Sequence, residues 1–166
     1  MLTVMVIFVV VGSMIMSILI TSFRTAQKTD IITAIQHNGN YAIIQMSKTI
    51  RDARGLISPF PCVPSVTSSS ISILTPDDLE VTYACVAASN NTPATIASNG
   101  ASLLDTTQVA LTSCSFTCAQ NAASDLPIIT INFSLLQQST STFVEKIASQ
   151  SAIPFQTSIG IRNINR

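Results

Sequence analysis

The sequence predicts an α+β protein: a long N-terminal α-helix packed against a small, mainly antiparallel β-sheet domain closed by disulfides. Three observations lead there. An apolar run fills the first 23 residues and passes, with no proline before Pro59, into a stretch whose apolar residues recur at alternating spacings of three and four. After Gly55 the pattern changes to short alternating runs between turn residues. All four cysteines, Cys62, Cys85, Cys114 and Cys118, fall in that second part.

Residues 1–54 read as one helix. Its first part, 1–23, is apolar on every side and would be about 34 Å long, enough to cross a bilayer core. Gly12 interrupts the run but is tolerated in a membrane helix. In the second part, 24–54, Ile32, Ile35, Gly39, Ile43, Met46, Ile50 and Ala53 form a stripe, while Gln36, Asn40, Ser47, Lys48 and Arg51 fall largely off it. Ile32, Ile35, Ile43, Met46 and Ile50 are therefore expected to pack on the β domain. The segment "QHNGNY" (36–41) contains Asn-Gly, a strong hairpin signal. The stripe keeps its phase across Gly39, however, and a turn would destroy that phase, so the helix is expected to continue. Lys48, Arg51 and Arg54 suit the negative end of the helix dipole, and Gly55 is the expected stop.

Residues 55–166 form the second domain. "LISPFPCVPSVTSSS" (56–70) reads as a Pro/Ser loop. Strands are expected at 70–74, 80–86, 95–99, 109–116, 127–135 and 154–163, with period-two patterning clearest over Ile128–Leu135 and Thr157–Ile164. An even number of cysteines in a Ser/Thr-rich domain behind an apolar leader indicates two disulfides formed outside the cytoplasm. Of three possible pairings, Cys62–Cys85 with Cys114–Cys118 closes the shortest loops and is the expectation, on condition that the chain turns between the last two. Zinc is the weaker reading, because no paired C-x2-C occurs and His37, the only histidine, is distant.

Composition narrows the function. Hydrophobic residues make up 47% and charged ones 10%, while Lys+Arg and Asp+Glu balance at 8 each, so no net field draws the chain to nucleic acid. A nucleophilic site would have to be built around His37 on a helix, where a solvated histidine is the ordinary case. "PDDLE" (76–80) sets Asp77, Asp78 and Glu80 close together, as a Ca2+ loop or, more commonly, a solvated turn. "NNT" (90–92) and "NFS" (132–134) match the N-glycosylation pattern, the latter on an expected strand. The stretches 65–70 and 137–143 are candidate acceptors of O-linked sugars. With Trp 0 and Tyr 2, a stacking platform for sugars or bases is poorly supplied. No catalytic residue, cofactor or metal is expected.

The apolar start fits poorly as a secretory signal, which needs a basic n-region and a short core. As a simple anchor, with Arg24 and Lys28 on its far flank, it would hold the later domain in the cytoplasm, against the disulfide reading. The layout resembles type IV pilins and the pseudopilins of type II secretion, most closely over "VIFVVVGSMIMSILITSFRTAQKTDIITAIQHNGNYAIIQMSKTIRDAR" (6–54). "TSCSFTCAQ" (112–120) and "IPFQTSIGIRN" (153–163) are weaker echoes. The family's most specific mark is a basic leader ending in Gly before a Phe-Thr-Leu-x-Glu-like start, cut by prepilin peptidase. Aligning on Phe8 and Gly12 sets Met1 just after that Glu, so a leader and the start of the helix are expected upstream; the alternative is that "MLTVM" replaces that start, with Met5 at the Glu position.

The resemblance implies a lollipop-shaped subunit held in the inner membrane, then passed by a pilus assembly machinery into an extracellular homo-oligomeric filament. Such a filament serves adhesion, motility or DNA uptake. Val6, Phe8, Val10, Gly12, Met14, Ile18 and Phe23 would make the helix–helix contacts. A pseudopilin, or a single-pass anchored extracytoplasmic binding domain, are the alternatives.

Overall fold

The structure, a computed structural model, describes residues 2–89, 92–122, 125–138 and 152–161. Asn90, most of the 137–143 stretch, residues 162 and 163 of the last expected strand and the side chain of Val6 lie outside the described part. Helix α1 spans Leu2–Asp52. The chain divides into two compact units, Met1–Thr33 and Ala34–Arg166, so the second half of α1 belongs to the same unit as the sheets.

The stripe expected on α1 is buried where it falls in that second unit. Ile35, Gly39, Met46, Ile50 and Ala53 are buried and Ile43 half-buried, while Ile32 falls in the first unit and is half-buried; Ala42, outside the expected stripe, is also fully buried. The helix keeps its hydrogen-bonded course through Asn38-Gly39, as the unbroken phase predicts. Gly55 is not its stop. The last turn tightens through Ala53 N–H to the Ile50 carbonyl (3.3 Å), and Arg54 N–H already donates to the Leu74 carbonyl (2.8 Å). Gly55 thus opens a strand, and a neighbouring strand takes over the capping of the chain.

Two antiparallel sheets follow. One holds β1 (Gly55–Ser58), β3 (Ser70–Leu74), β4 (Glu80–Val86), β5 (Thr95–Ser98) and β6 (Ala101–Ser102), in the order β1-β3-β4-β5-β6. The other holds β2 (Ser65–Ser68), β7 (Val109–Ala119), β8 (Ile128–Gln137) and β9 (Ile153–Gly160), in the order β2-β7-β8-β9. The expected strands are all present within a few residues. The 56–70 segment is a correction: it contributes two edge strands, β1 and β2. Each has four residues, too few for a period to show, and Pro59, Pro61 and Pro64 sit between them, outside both ladders.

The four-stranded sheet turns one face inward. On β8, Ile129, Ile131, Phe133 and Leu135 are buried in strict alternation. On β7 the inward parity changes, from Val109 and half-buried Leu111 to half-buried Cys114 and buried Phe116 and Cys118. The register slips between Leu111 and Ser113, which makes Thr112 the extra residue of a β-bulge. Ile71 and Ile73 of β3, Tyr83 of β4 and Ile96 of β5 bring the inner face of the other sheet to the same core. The outer face of the four-stranded sheet is hydroxylated and uncharged. Thr67, Thr117, Thr130 and Ser158 stand opposite one another across all four strands, with Thr67–Thr117 at 3.1 Å and Thr130–Ser158 at 2.9 Å between side-chain oxygens.

Candidate functional site

The first unit is helix alone, and its described side chains from Phe8 to Asp30 are exposed. Phe8 is 74% exposed, Phe23 69%, Ile18 64% and Met14 61%, with Val10 less so at 46%. Gly12 has nothing within 4 Å of where a side chain would begin. Leaving each large apolar side chain in water costs about 1.5–3 kcal/mol, and a contiguous exposed apolar surface is a candidate interaction site. By length and composition the helix is apolar and long enough to cross a membrane.

A second pattern, of hydroxyl rather than apolar residues, runs along the same helix. Ser13, Ser17, Thr21, Thr25, Thr29 and Thr33 recur every four residues, and each hydroxyl donates to a carbonyl three or four residues earlier, at 2.8–3.0 Å. Serine and threonine on a helix can satisfy themselves in this way. The row therefore asks nothing of its surroundings and is compatible with a dry environment. Rows at i, i+4 are also natural groove lines on a helix surface, and small side chains along them let a second helix approach. The signal was visible as a repeat of small hydroxyl residues. Apolar periodicity carries no trace of it, because serine and threonine fall outside that pattern.

In the second unit the four cysteines form two disulfides, but not in the expected pairs. Cys62 joins Cys118 (Cα–Cα 5.7 Å) and Cys85 joins Cys114 (5.8 Å). The correction has a plain cause. Cys114 and Cys118 share one face of an unbroken stretch of β7, and positions four apart on a strand stand about 13 Å from each other, beyond disulfide reach. Each is satisfied by a different neighbour. Cys85 on β4 links one sheet to the other, and Cys62 ties the proline-rich connection to β7.

Buried Gln120 completes the second tie. Its Oε1 accepts the Cys62 N–H (3.0 Å), its Nε2 donates to the Asp125 carbonyl (2.8 Å), and its own N–H donates to the Pro64 carbonyl (3.1 Å).

His37 is exposed and lines a shallow groove with Asn38, Tyr41, Ser102, Asp105 and Gln108. Asn38 already spends its amide on the Ala34 carbonyl and on the Asp105 N–H, both at 3.0 Å, which pins the 103–108 loop to the helix. The Thr107 hydroxyl (2.6 Å) and N–H (3.0 Å) donate to Asp105 and hold its carboxyl below the ordinary value. In "PDDLE", Asp78 takes a left-handed turn conformation and pairs with Arg54 at 2.6 Å. No group of three potential metal ligands occurs among the described residues. Asn132 lies on β8, half-buried.

Comparison with known protein families, with curated proteins and with solved structures finds no match for this chain.

Proposed function

We propose that this chain is a structural subunit of a type IV pilus-like filament, using residues 1–23 first as an inner-membrane anchor and then as a helix–helix assembly surface. One observation carries the reading: a helix with Phe8, Met14, Ile18 and Phe23 each more than 60% exposed runs unbroken into a unit stapled by two disulfides. Lipid and a bundle of identical helices are the two surroundings that keep such a surface dry. The disulfides support a destination outside the cytoplasm. The self-bonded row from Ser13 to Thr33 supports helix packing, since it adds no unsatisfied polar group. In this reading the uncharged hydroxyl face of the four-stranded sheet lies toward solvent.

The test is expression of the full chain with a pilus assembly machinery, followed by electron microscopy of sheared surface material and immunogold labelling. Labelled filaments micrometres long are the expected result, and stubs confined to the periplasm would point to a pseudopilus. A chain that stays a detergent-bound monomer, with surface filaments free of label, refutes the reading.

A further inference from the structure

The four-stranded sheet ends in two strands whose outer edges have no backbone partner among the described residues. β9 pairs only with β8, and β2 only with β7. An open edge presents N–H and C=O groups at every second residue and is a template for another strand. Proteins commonly guard such edges with charge or proline. Here β2 (SVTS) and β9 (IPFQTSIG) carry no charge, and the single proline, Pro154, stands near the start of β9, leaving Phe155–Gly160 unguarded.

Strand direction decides what fits. With four antiparallel strands, the two edges run in opposite senses. A copy related by rotation about an axis along the strands therefore brings its β2 antiparallel to β9. The five-stranded sheet has edges, β1 and β6, that run in the same sense, and β6 has only two residues. It offers no equivalent junction.

We infer that β9 of one subunit receives β2 of the next, so that the four-stranded sheet continues from copy to copy. Continuing the Thr67–Thr117–Thr130–Ser158 row places Ser158 opposite Thr67 of the second copy and Ile159 opposite its Val66. Outward hydroxyls then meet outward hydroxyls, and inward apolar groups meet inward ones. The pairing uses two different edges, so it is head-to-tail and leaves a free edge at each end for growth. Two β9 strands paired about a two-fold axis would instead close a dimer and stop. The inference rests on the filament reading, which requires open-ended growth.

The experiment uses filaments of the full chain. Thr67 and Ser158 are both exposed, so Thr67→Cys, Ser158→Cys and the double variant are assembled, oxidised and run on denaturing gels. A covalent ladder of dimers, trimers and higher species from the double variant, with none from either single variant, is expected. Dimers from Ser158→Cys alone reveal the two-fold pairing and overturn the inference. Filaments of the double variant without a ladder overturn it too, and leave the filament reading standing. Absence of filaments from the native chain overturns both.

A second pair of variants needs no cysteine. Thr67→Lys with Ser158→Lys should cut filament yield at least tenfold, and Thr67→Lys with Ser158→Glu should restore it. Equal yields from the two contradict the junction.

Discussion

At Gly39 two local preferences oppose each other. An alanine there would favour the helix by about 0.5–1 kcal/mol. Yet the Phe155 ring lies against the glycine, in space a methyl group would occupy, and stacks on Phe133 with ring centroids 5.2 Å apart. Overpacking a filled core costs about 1–3 kcal/mol. Gly39→Ala should therefore lower stability in urea by about 1–2 kcal/mol, and Phe155→Leu in the same chain should recover part of the loss.

Asp105 offers a pH test at the same scale. Its carboxyl is held below the ordinary value first by the Thr107 hydroxyl. A depressed folded-state pKa stabilises fully above the unfolded value and is lost as pH falls through the folded one. The dependence should thus appear only in acid, below the usual aspartate range. Carboxyl-carbon NMR of Thr107→Val should show Asp105 titrating at higher pH than in the native chain. No change would remove the Thr107 hydroxyl as the cause.

Among elements, the two Asn-Gly pairs show how context selects between outcomes. Asn99-Gly100 makes the turn between β5 and β6, with φ of 49° and 85° and Ser98 facing Ala101, as a two-residue hairpin demands. Asn38-Gly39 stays helical because apolar residues repeat in phase on both sides of it. The dipeptide permits a turn, and the flanking period decides whether one forms.

The hydroxyl row on α1 is the element-scale prediction. Filling the groove with Thr21→Leu should leave the melting of the disulfide-bonded unit unchanged and reduce filament yield several-fold, while Thr21→Ser assembles normally. Filament counts by electron microscopy beside thermal melts read both quantities. Undiminished assembly of Thr21→Leu would remove the row from the interface.

At the scale of the molecule, the disulfides close loops spanning 56 and 29 residues. Chain-entropy arguments assign each about 4 kcal/mol, against about 2 kcal/mol for a loop as short as Cys114–Cys118. Measured losses commonly fall below that figure. Replacing both members of either pair by alanine should cost about 2–4 kcal/mol in urea unfolding. Removing Cys85–Cys114 should also speed amide exchange in β3–β5 relative to β7–β8, because it is the covalent link between the sheets. Peptide mapping of the oxidised chain should return Cys62 linked to Cys118, and a Cys114–Cys118 peptide would contradict the fold.

The chain's own periods determined the elements. The three-and-four spacing, free of proline, dictates one helix to Asp52, and strict alternation from Ile128 to Leu135 dictates β8 and its buried face, because burial of one side is a local property of each element. What those periods leave open is partnership. Cys114 and Cys118 are neighbours in sequence and cannot meet on a strand. Gly39 is needed only because Phe155, more than a hundred residues later, arrives at it. The edge strands β1 and β2 are too short to carry a period and exist because β3 and β7 accept their hydrogen bonds. Those choices belong to the tertiary structure, where distance in space replaces distance along the chain.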